Sequence, residues 1–362
     1  MRFTRLVLAI AILLSITFVS TQLNNRAAEK SGVAYAADPT GKLAEVIARG
    51  RLICGVSGGL PGFSYLNPND NSWSGLDVDY CRGLAAAIFG ELTTENLEFV
   101  PLTAAERFTA LQANQVDVLM RNTTWTFSRD TDLAGDFGPT TFYDGQGLMV
   151  RVDLGVASID DLSGASICVQ TGTTTELNIT EAFNARGFDL ELIPFEDSAQ
   201  TITAFEAGQC DVLTSDKSQL AGLRSGTADP SLYVILPDTL SKEPLGPMYS
   251  EGDDQWANVV HWTTFATFQA EEFGITSANV DEFLASGSTE IQRFLGVAAA
   301  DGSPSLGSFI GLPDGFTVSI LRAVGNYGEI YERNIVPIGI DRAGTLNASW
   351  RDGGLIYAPA WR

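Results

Sequence analysis

Apolar and polar positions come in alternating blocks along this chain. Residues 51–56 form a short apolar run of strand character, closed by a glycine-rich loop at 57–63 that contains Ser57 and Phe63. Residues 76–89 read as a helix, with Asp77 and Asp79 near its N-terminus, where negative charge is favoured. A second strand is expected at 97–101. Thr103 and Glu106 have capping-box spacing and open a helix that carries Phe108 and Leu111. That helix leads into a strand at 116–120. Strands alternating with helices predict a parallel sheet covered by helices on its faces.

The alternation then starts again. Around 142–152 the chain is expected to cross into a second unit with a strand at 166–170, a threonine-rich turn at 171–175 and a helix through Ala182. Another strand ends at 194–196. Residues 236–248, punctuated by Pro237, Pro244, Gly246 and Pro247, read as the return crossing. Helices follow at 256–272, 279–284, 289–295 and 316–334. Two crossings would leave the first unit in two pieces around a continuous second one, and such a double connection behaves as a hinge.

The two units share a repeated segment. Residues 109–119 read TALQANQVDVL and residues 203–213 read TAFEAGQCDVL, with seven of the eleven aligned residues identical. Similarity at a fixed distance means one supersecondary unit used twice. Both copies run from the end of a helix into a short strand and then into a polar segment. The first segment is Arg121, Asn122, Thr123, Thr124, and the second is Ser215, Asp216, Lys217, Ser218. In open α/β sheets, ligands sit beyond the carboxyl ends of the strands. Two such ends facing each other make a polar-walled cleft.

The N-terminus has the three parts of a secretory signal. Arg2 and Arg5 precede an apolar stretch at 6–19, and Ala34-Tyr35-Ala36 offers a cleavage site. The apolar stretch is shorter than the ~20 residues of a spanning helix, so export with cleavage is the expectation, and an uncleaved membrane tether is the rival. The rest of a 362-residue chain exceeds one compact core and suits two domains. The expected division is a signal at 1–36, a first lobe at 37–145, a second lobe at 146–240, and a return to the first lobe with a C-terminal helical extension at 241–362. The formal net charge of −22 argues against nucleic acid or anionic lipid as partners. It leaves room for a local basic site.

Cys54, Cys81, Cys168 and Cys210 are the only cysteines. An even number in an exported chain suggests disulfides, with three connectivities open. Pairing within each lobe, Cys54 with Cys81 and Cys168 with Cys210, is expected. Each bridge is worth about 3–4 kcal/mol by loop-closure arithmetic. The spacings match no common zinc pattern, and neither a metal nor a cofactor is expected.

Several residues could hold a small zwitterion. Arg121, Asn122, Thr123 and Thr124 stand beyond the first strand, with Arg129 shortly after, and arginine's planar fork matches a carboxylate. The turn with Thr173 and Thr174 precedes a helix, so its backbone N–H groups would form a second anion-binding nest. Asp216, beyond the equivalent strand of the other lobe, suits an ammonium. Taken singly, Arg129 beside Asp130 and Asp132 also fits a surface ion pair. Asp216 also fits an ordinary turn, Thr173 a helix cap, and Phe63 and Trp125 core positions.

These segments resemble a known family. CGVSGGLPGFS from Cys54, WSGLDVDYCRGLAAAIFG from Trp73, DVLMRNTTWTFSRD from Asp117, CVQTGTTTELN from Cys168 and CDVLTSDKSQLAGLR from Cys210 are similar to periplasmic substrate-binding proteins of the two-lobed type II class. These serve ABC importers of polar amino acids, and the general L-amino acid branch is the nearest match. The resemblance covers nearly the whole chain after the signal. It implies that Arg129 grips the ligand carboxylate with Thr124 and Thr173 donating, that Asp216 takes the α-ammonium with help from around Asn122, and that the loop from Ser57 to Phe63 lies along the side chain. It also implies a free L-amino acid as ligand, a membrane permease as partner, a periplasmic location and a monomeric binder. Basic amino acid binders carry serines where this chain has Arg121 and Asn122, so neutral or acidic ligands are expected. Arg121 either shapes that choice or points away from the ligand.

An enzyme reading has less to stand on. The single histidine, His261, lies between Val260 and Trp262 in a helical stretch and reads as structural. No nucleotide loop is present. The rival is an exported dehydratase or lyase of the same fold, for which Glu196 or Asp197 would have to supply the acid.

Overall fold

A computed structural model describes residues 38–297 and 305–362. The expected signal, residues 1–36, lies outside the described residues. The strands in chain order are β1 (Leu52–Val56), β2 (Gly59–Leu60), β3 (Ser64–Leu66), β4 (Trp73–Ser74), β5 (Leu97–Pro101), β6 (Val118–Thr124) and β7 (Gly135–Phe137). They continue as β8 (Phe142–Asp144), β9 (Gln146–Arg151), β10 (Ser166–Gln170), β11 (Glu191–Phe195), β12 (Val212–Asp216), β13 (Tyr233–Ile235) and β14 (Glu243–Ser250).

Two sheets are built on one plan. In the first, with order β5-β1-β6-β14-β7, β1 runs parallel to β5 and β6, and β14 is antiparallel to β6, β7 and β8. In the second, with order β11-β10-β12-β9-β13, β10 runs parallel to β11 and β12, and β9 is antiparallel to β12 and β13. The repeated segment thus ends in β6 in one lobe and β12 in the other. Only Gly145 separates β8 of the first sheet from β9 of the second, and the chain returns between β13 and β14. The fold is α/β, two-lobed, with mixed sheets flanked by helices.

The first lobe holds the larger core. Helix Leu76–Phe89 is buried along almost its whole length, between the sheet and the helices Asp254–Phe273, Phe316–Val324 and Tyr327–Asn334, whose apolar residues join one cluster. The second lobe is held by two smaller clusters, one on each face of its sheet. Disulfides close within each lobe, Cys54 to Cys81 and Cys168 to Cys210, tying β1 to helix Leu76–Phe89 and β10 to the segment before β12.

Several expectations need correction. The strand expected at 116–120 runs on to Thr124, because β14 supplies an antiparallel partner as far as Leu245 opposite Thr124. The return crossing ends as strand β14 despite Pro244 and Pro247. A register shift between Gly246 and Met248 accommodates the missing N–H. The single helix expected at 316–334 is two, parted at Gly325, whose φ of +79° turns the chain, with Asn326 capping the second. Helix Gly41–Arg49 and the small β2-β3-β4 sheet were not anticipated.

Candidate ligand-binding site

The polar wall of the first lobe is the C-terminal half of β6 and the short helix Phe127–Asp132. Thr126 caps that helix, its hydroxyl accepting from Arg129 N–H at 3.2 Å. This holds the Arg129 side chain inward. Its Nη1 donates to the carbonyl of Thr124 at 3.0 Å, and its guanidinium lies over the Phe108 ring at 5.1 Å. Arg129 is buried and forms no ion pair among the described residues. A guanidinium has five N–H donors, so most of this one is uncommitted.

Asp216 closes β12 in the other lobe and is also buried. It stands at the N-cap position of helix Lys217–Ser225, yet its side chain accepts no capping hydrogen bond. Burial, then Asp144 and Glu243, push its pKa well above the ordinary carboxylate range, while Arg107 and Arg129 oppose them. Burial likewise lowers Arg129, with Glu243 and Asp216 pulling the other way. The guanidinium of one lobe and the carboxyl of the other are therefore within electrostatic reach of each other.

Arg121 faces the cleft. Its Nε donates to the carbonyl of Leu102 at 2.9 Å, and its Nη1 reaches Asn122 Oδ1 at 3.5 Å. Burial brings its pKa down to about 10, with Asp77 opposing. Arg121 and Ser57 line an inter-lobe cavity of about 300 Å³, together with Gln170, Asp197 and Ser198. Asn122, held at a φ of +30°, donates its backbone N–H to Asp77 Oδ2 at 3.0 Å. Its side-chain amide donates to Gln219 Oε1 at 3.2 Å and so bridges the lobes.

The threonines divide. The Thr174 hydroxyl donates to Glu243 Oε2 at 2.8 Å and meets the Thr124 hydroxyl at 3.5 Å, inside the cleft. Thr173 is a helix cap. Its hydroxyl donates to Gln170 O at 2.7 Å and accepts from Glu176 N–H, which takes that hydroxyl away from any ligand. Phe63 is also corrected: it is fully buried in the first lobe's core, edge-on to Phe142, and not along a ligand's side chain. Trp125 is partly exposed and stacks on Phe137.

Two buried charged positions near the candidate site escaped the sequence. Arg107 opens helix Arg107–Gln112 and is buried, its Nε without a partner. The capping box beside it marked a helix start, where an arginine reads as solvent-facing. Glu243 opens β14 and accepts from Thr174, Asn178 and Ser241, inside a stretch that read as a proline-rich crossing. His261 is structural as expected, its Nε2 against the Tyr249 hydroxyl at 2.9 Å and the Phe137 carbonyl at 3.2 Å. Asp197 caps helix Ser198–Glu206 by accepting from Gln200 N–H. Among the described residues no cluster of His, Cys, Asp or Glu could hold a metal, and no helix is long and apolar enough to cross a membrane.

Residues 52–185 match the model of the bacterial extracellular solute-binding proteins, family 3. A general L-amino acid-binding periplasmic protein of Rhizobium johnstonii is 48% identical over 323 residues, 88% of this chain and 92% of the relative. The chain belongs to this family. A second solute-binding protein, the glutamate/glutamine/aspartate/asparagine-binding protein of Rhodobacter capsulatus, is 46% identical over 324 residues, 88% of this chain and 93% of the relative. Among solved structures, an ABC-transporter periplasmic binding protein of Brucella ovis with glutathione bound superposes with a TM-score of 0.85. It is 48% identical and spans 90% of this chain and 100% of that one. Membership of this solute-binding family places the protein outside the cytoplasm.

Proposed function

We propose that this protein captures free L-amino acids in the periplasm by closing its lobes over them, and delivers them to the membrane permease of an ABC importer. One observation carries the reading: Arg129 and Asp216, buried in opposite lobes, lie within electrostatic reach of each other with most of their hydrogen-bonding capacity unused. An α-amino acid brings a carboxylate to the first and an ammonium to the second. Thr124 stands beside the carboxylate position. The ligand binds one lobe first, and closure about the crossings at Gly145 and before β14 completes the cage in a site shielded from water. In this reading the lobes divide at 145/146 and 240/241, the monomer suffices, and no bond in the ligand is broken.

The names of the relatives support amino acids as the ligand class. The cavity beside Arg121 has room for ligand atoms beyond the α-carbon, so glutathione belongs in the screen. A thermal-shift screen against the twenty amino acids and glutathione, followed by calorimetry and a search for reaction products, tests the proposal. Arg129→Ala should weaken every amino acid alike by about 2–5 kcal/mol, through loss of the charge pair. Unchanged affinity in that variant would remove the carboxylate assignment, and conversion of a bound ligand would replace carrier by enzyme.

A further inference from the structure

Three guanidiniums converge on the cleft, and only two are accounted for. Arg121 has Asp77 as its opposing charge and the Leu102 carbonyl as its acceptor. Arg129 has the Thr124 carbonyl and, in the reading above, the ligand's α-carboxylate. Arg107 has neither. It is 3% exposed, its Nε is buried without an acceptor, and its guanidinium rests on the face of Phe108 at 4.8 Å. Burial, then Arg129 and Arg121, lower its pKa, while Asp216 and Glu243 oppose them. A guanidinium stays protonated in proteins, so the folded chain carries an enclosed positive charge without a counter-ion in contact.

The acids around it do not fill that place. Glu243 accepts from Thr174 and Ser241 and from the Asn178 amide at 3.0 Å. Asp144 accepts from the backbone N–H of Gly145 at 2.8 Å and of Ser218 at 3.2 Å. Both carboxylates thus already accept from donors of the protein itself. Asp216 is set aside for the α-ammonium. Of the three guanidiniums, the one left without any hydrogen-bond acceptor among the described residues is Arg107.

We propose that Arg107 reads the ligand's side chain and makes the cleft select amino acids with a second carboxylate, glutamate and aspartate, over their amides. The proposal rests on the amino acid reading of the cleft and deepens it. A side-chain carboxylate meets the planar fork with two parallel hydrogen bonds. An amide of the same shape offers one acceptor and leaves the charge unanswered, while a lysine or arginine ligand brings a like charge to Arg107 and Arg121.

Calorimetry with L-glutamate, L-glutamine, L-alanine and L-arginine, on the intact mature protein and on Arg107→Met and Arg107→Lys, provides the test. The native protein should bind glutamate more tightly than glutamine by about tenfold or more. In Arg107→Met that ratio should fall to near one, mainly through weaker glutamate, with alanine nearly unchanged. Arg107→Lys keeps the charge without the fork and should retain part of the preference, which covers the case in which the methionine variant does not fold. The ligand-free Arg107→Met protein should melt at the same temperature as the native one or higher, because an unpaired buried charge has been removed. A glutamate-to-glutamine ratio that survives Arg107→Met, or equal loss for all ligands, overturns the proposal. Failure of the native protein to bind any of the four defeats the amino acid reading itself, so the two failures are distinguishable.

Discussion

At the scale of single residues, the cleft concentrates charge where water is scarce, and Asp77 shows the cost. It lies in the first turn of helix Leu76–Phe89, fully enclosed beneath β6. Burial raises its pKa to about 7, although the Asn122 N–H and the charge of Arg121 work against that. An acid whose pKa is higher in the folded than in the unfolded chain takes up its proton first in the folded state. Its contribution therefore favours folding at low pH and declines as pH rises from about 4 through 7. A shift of that size corresponds to roughly 4 kcal/mol at most. Asp144, raised by burial to about 6, adds to the slope in the same direction. Asp77→Asn keeps an acceptor for the Asn122 N–H and cannot ionise. Urea unfolding of this variant between pH 4 and 7 should show a shallower loss of stability than the native chain, and parallel profiles would contradict the assignment. Arg107 shows why such residues are hard to read in advance. Its burial comes from tertiary packing, whereas the local pattern shows only a polar residue in a first helical turn.

At the scale of elements, local signals and tertiary pairing divide the credit. β10 runs over the residues expected because a short apolar run there is bounded by a threonine-rich turn. The capping box at Thr103 and Glu106 forms as its spacing required, each side chain accepting from the other's backbone N–H. By contrast, the extension of β6 to Thr124 and the whole of β14 depend on each other as partners, and no window of sequence contains both. The break between helices Phe316–Val324 and Tyr327–Asn334 is a third kind of case. The apolar pattern continues across it, but Asn326 competes for the backbone. Its side chain accepts from Glu329 N–H at 2.9 Å and donates to the Ile275 carbonyl at 2.8 Å, while Glu329 accepts from Asn326 N–H at 2.9 Å. Asn326→Ala removes the cap and leaves the buried Ile275 carbonyl without that donor. A loss of about 1–2 kcal/mol in urea unfolding is expected, and a change under about 0.3 kcal/mol would mean the two helices are held apart by packing alone.

At the scale of the whole molecule, the proposed capture depends on how closely the two lobes can approach. The acidity of the chain does not decide this, since the cleft itself holds three guanidiniums. What decides it is backbone clearance. Gly222, within helix Lys217–Ser225 of the second lobe, faces Pro61 of the first so closely that a Cβ there would lie 2.6 Å from the Pro61 carbonyl oxygen. Gly172 sits in the same way against Ala105. The amides of Asn122 and Gln219 meet across the gap at 3.2 Å, a bond that a shift of about 1 Å breaks. A methyl group at 222 would therefore act as a wedge, and its effects can be separated. Within one lobe, Gly→Ala in a helix interior is stabilising by about 0.5–1 kcal/mol, so ligand-free Gly222→Ala should melt no lower than the native protein. Across lobes, the wedge opposes the closed state that the ligand requires, so affinity should fall by about tenfold, or about 1.4 kcal/mol. Because position 222 lies outside the Arg129–Asp216 cage, the loss should be the same for every amino acid and leave their ranking intact. X-ray scattering with saturating ligand should find a larger radius for the variant than for the native protein. Native affinity in Gly222→Ala would mean that capture does not require the lobes to come this close.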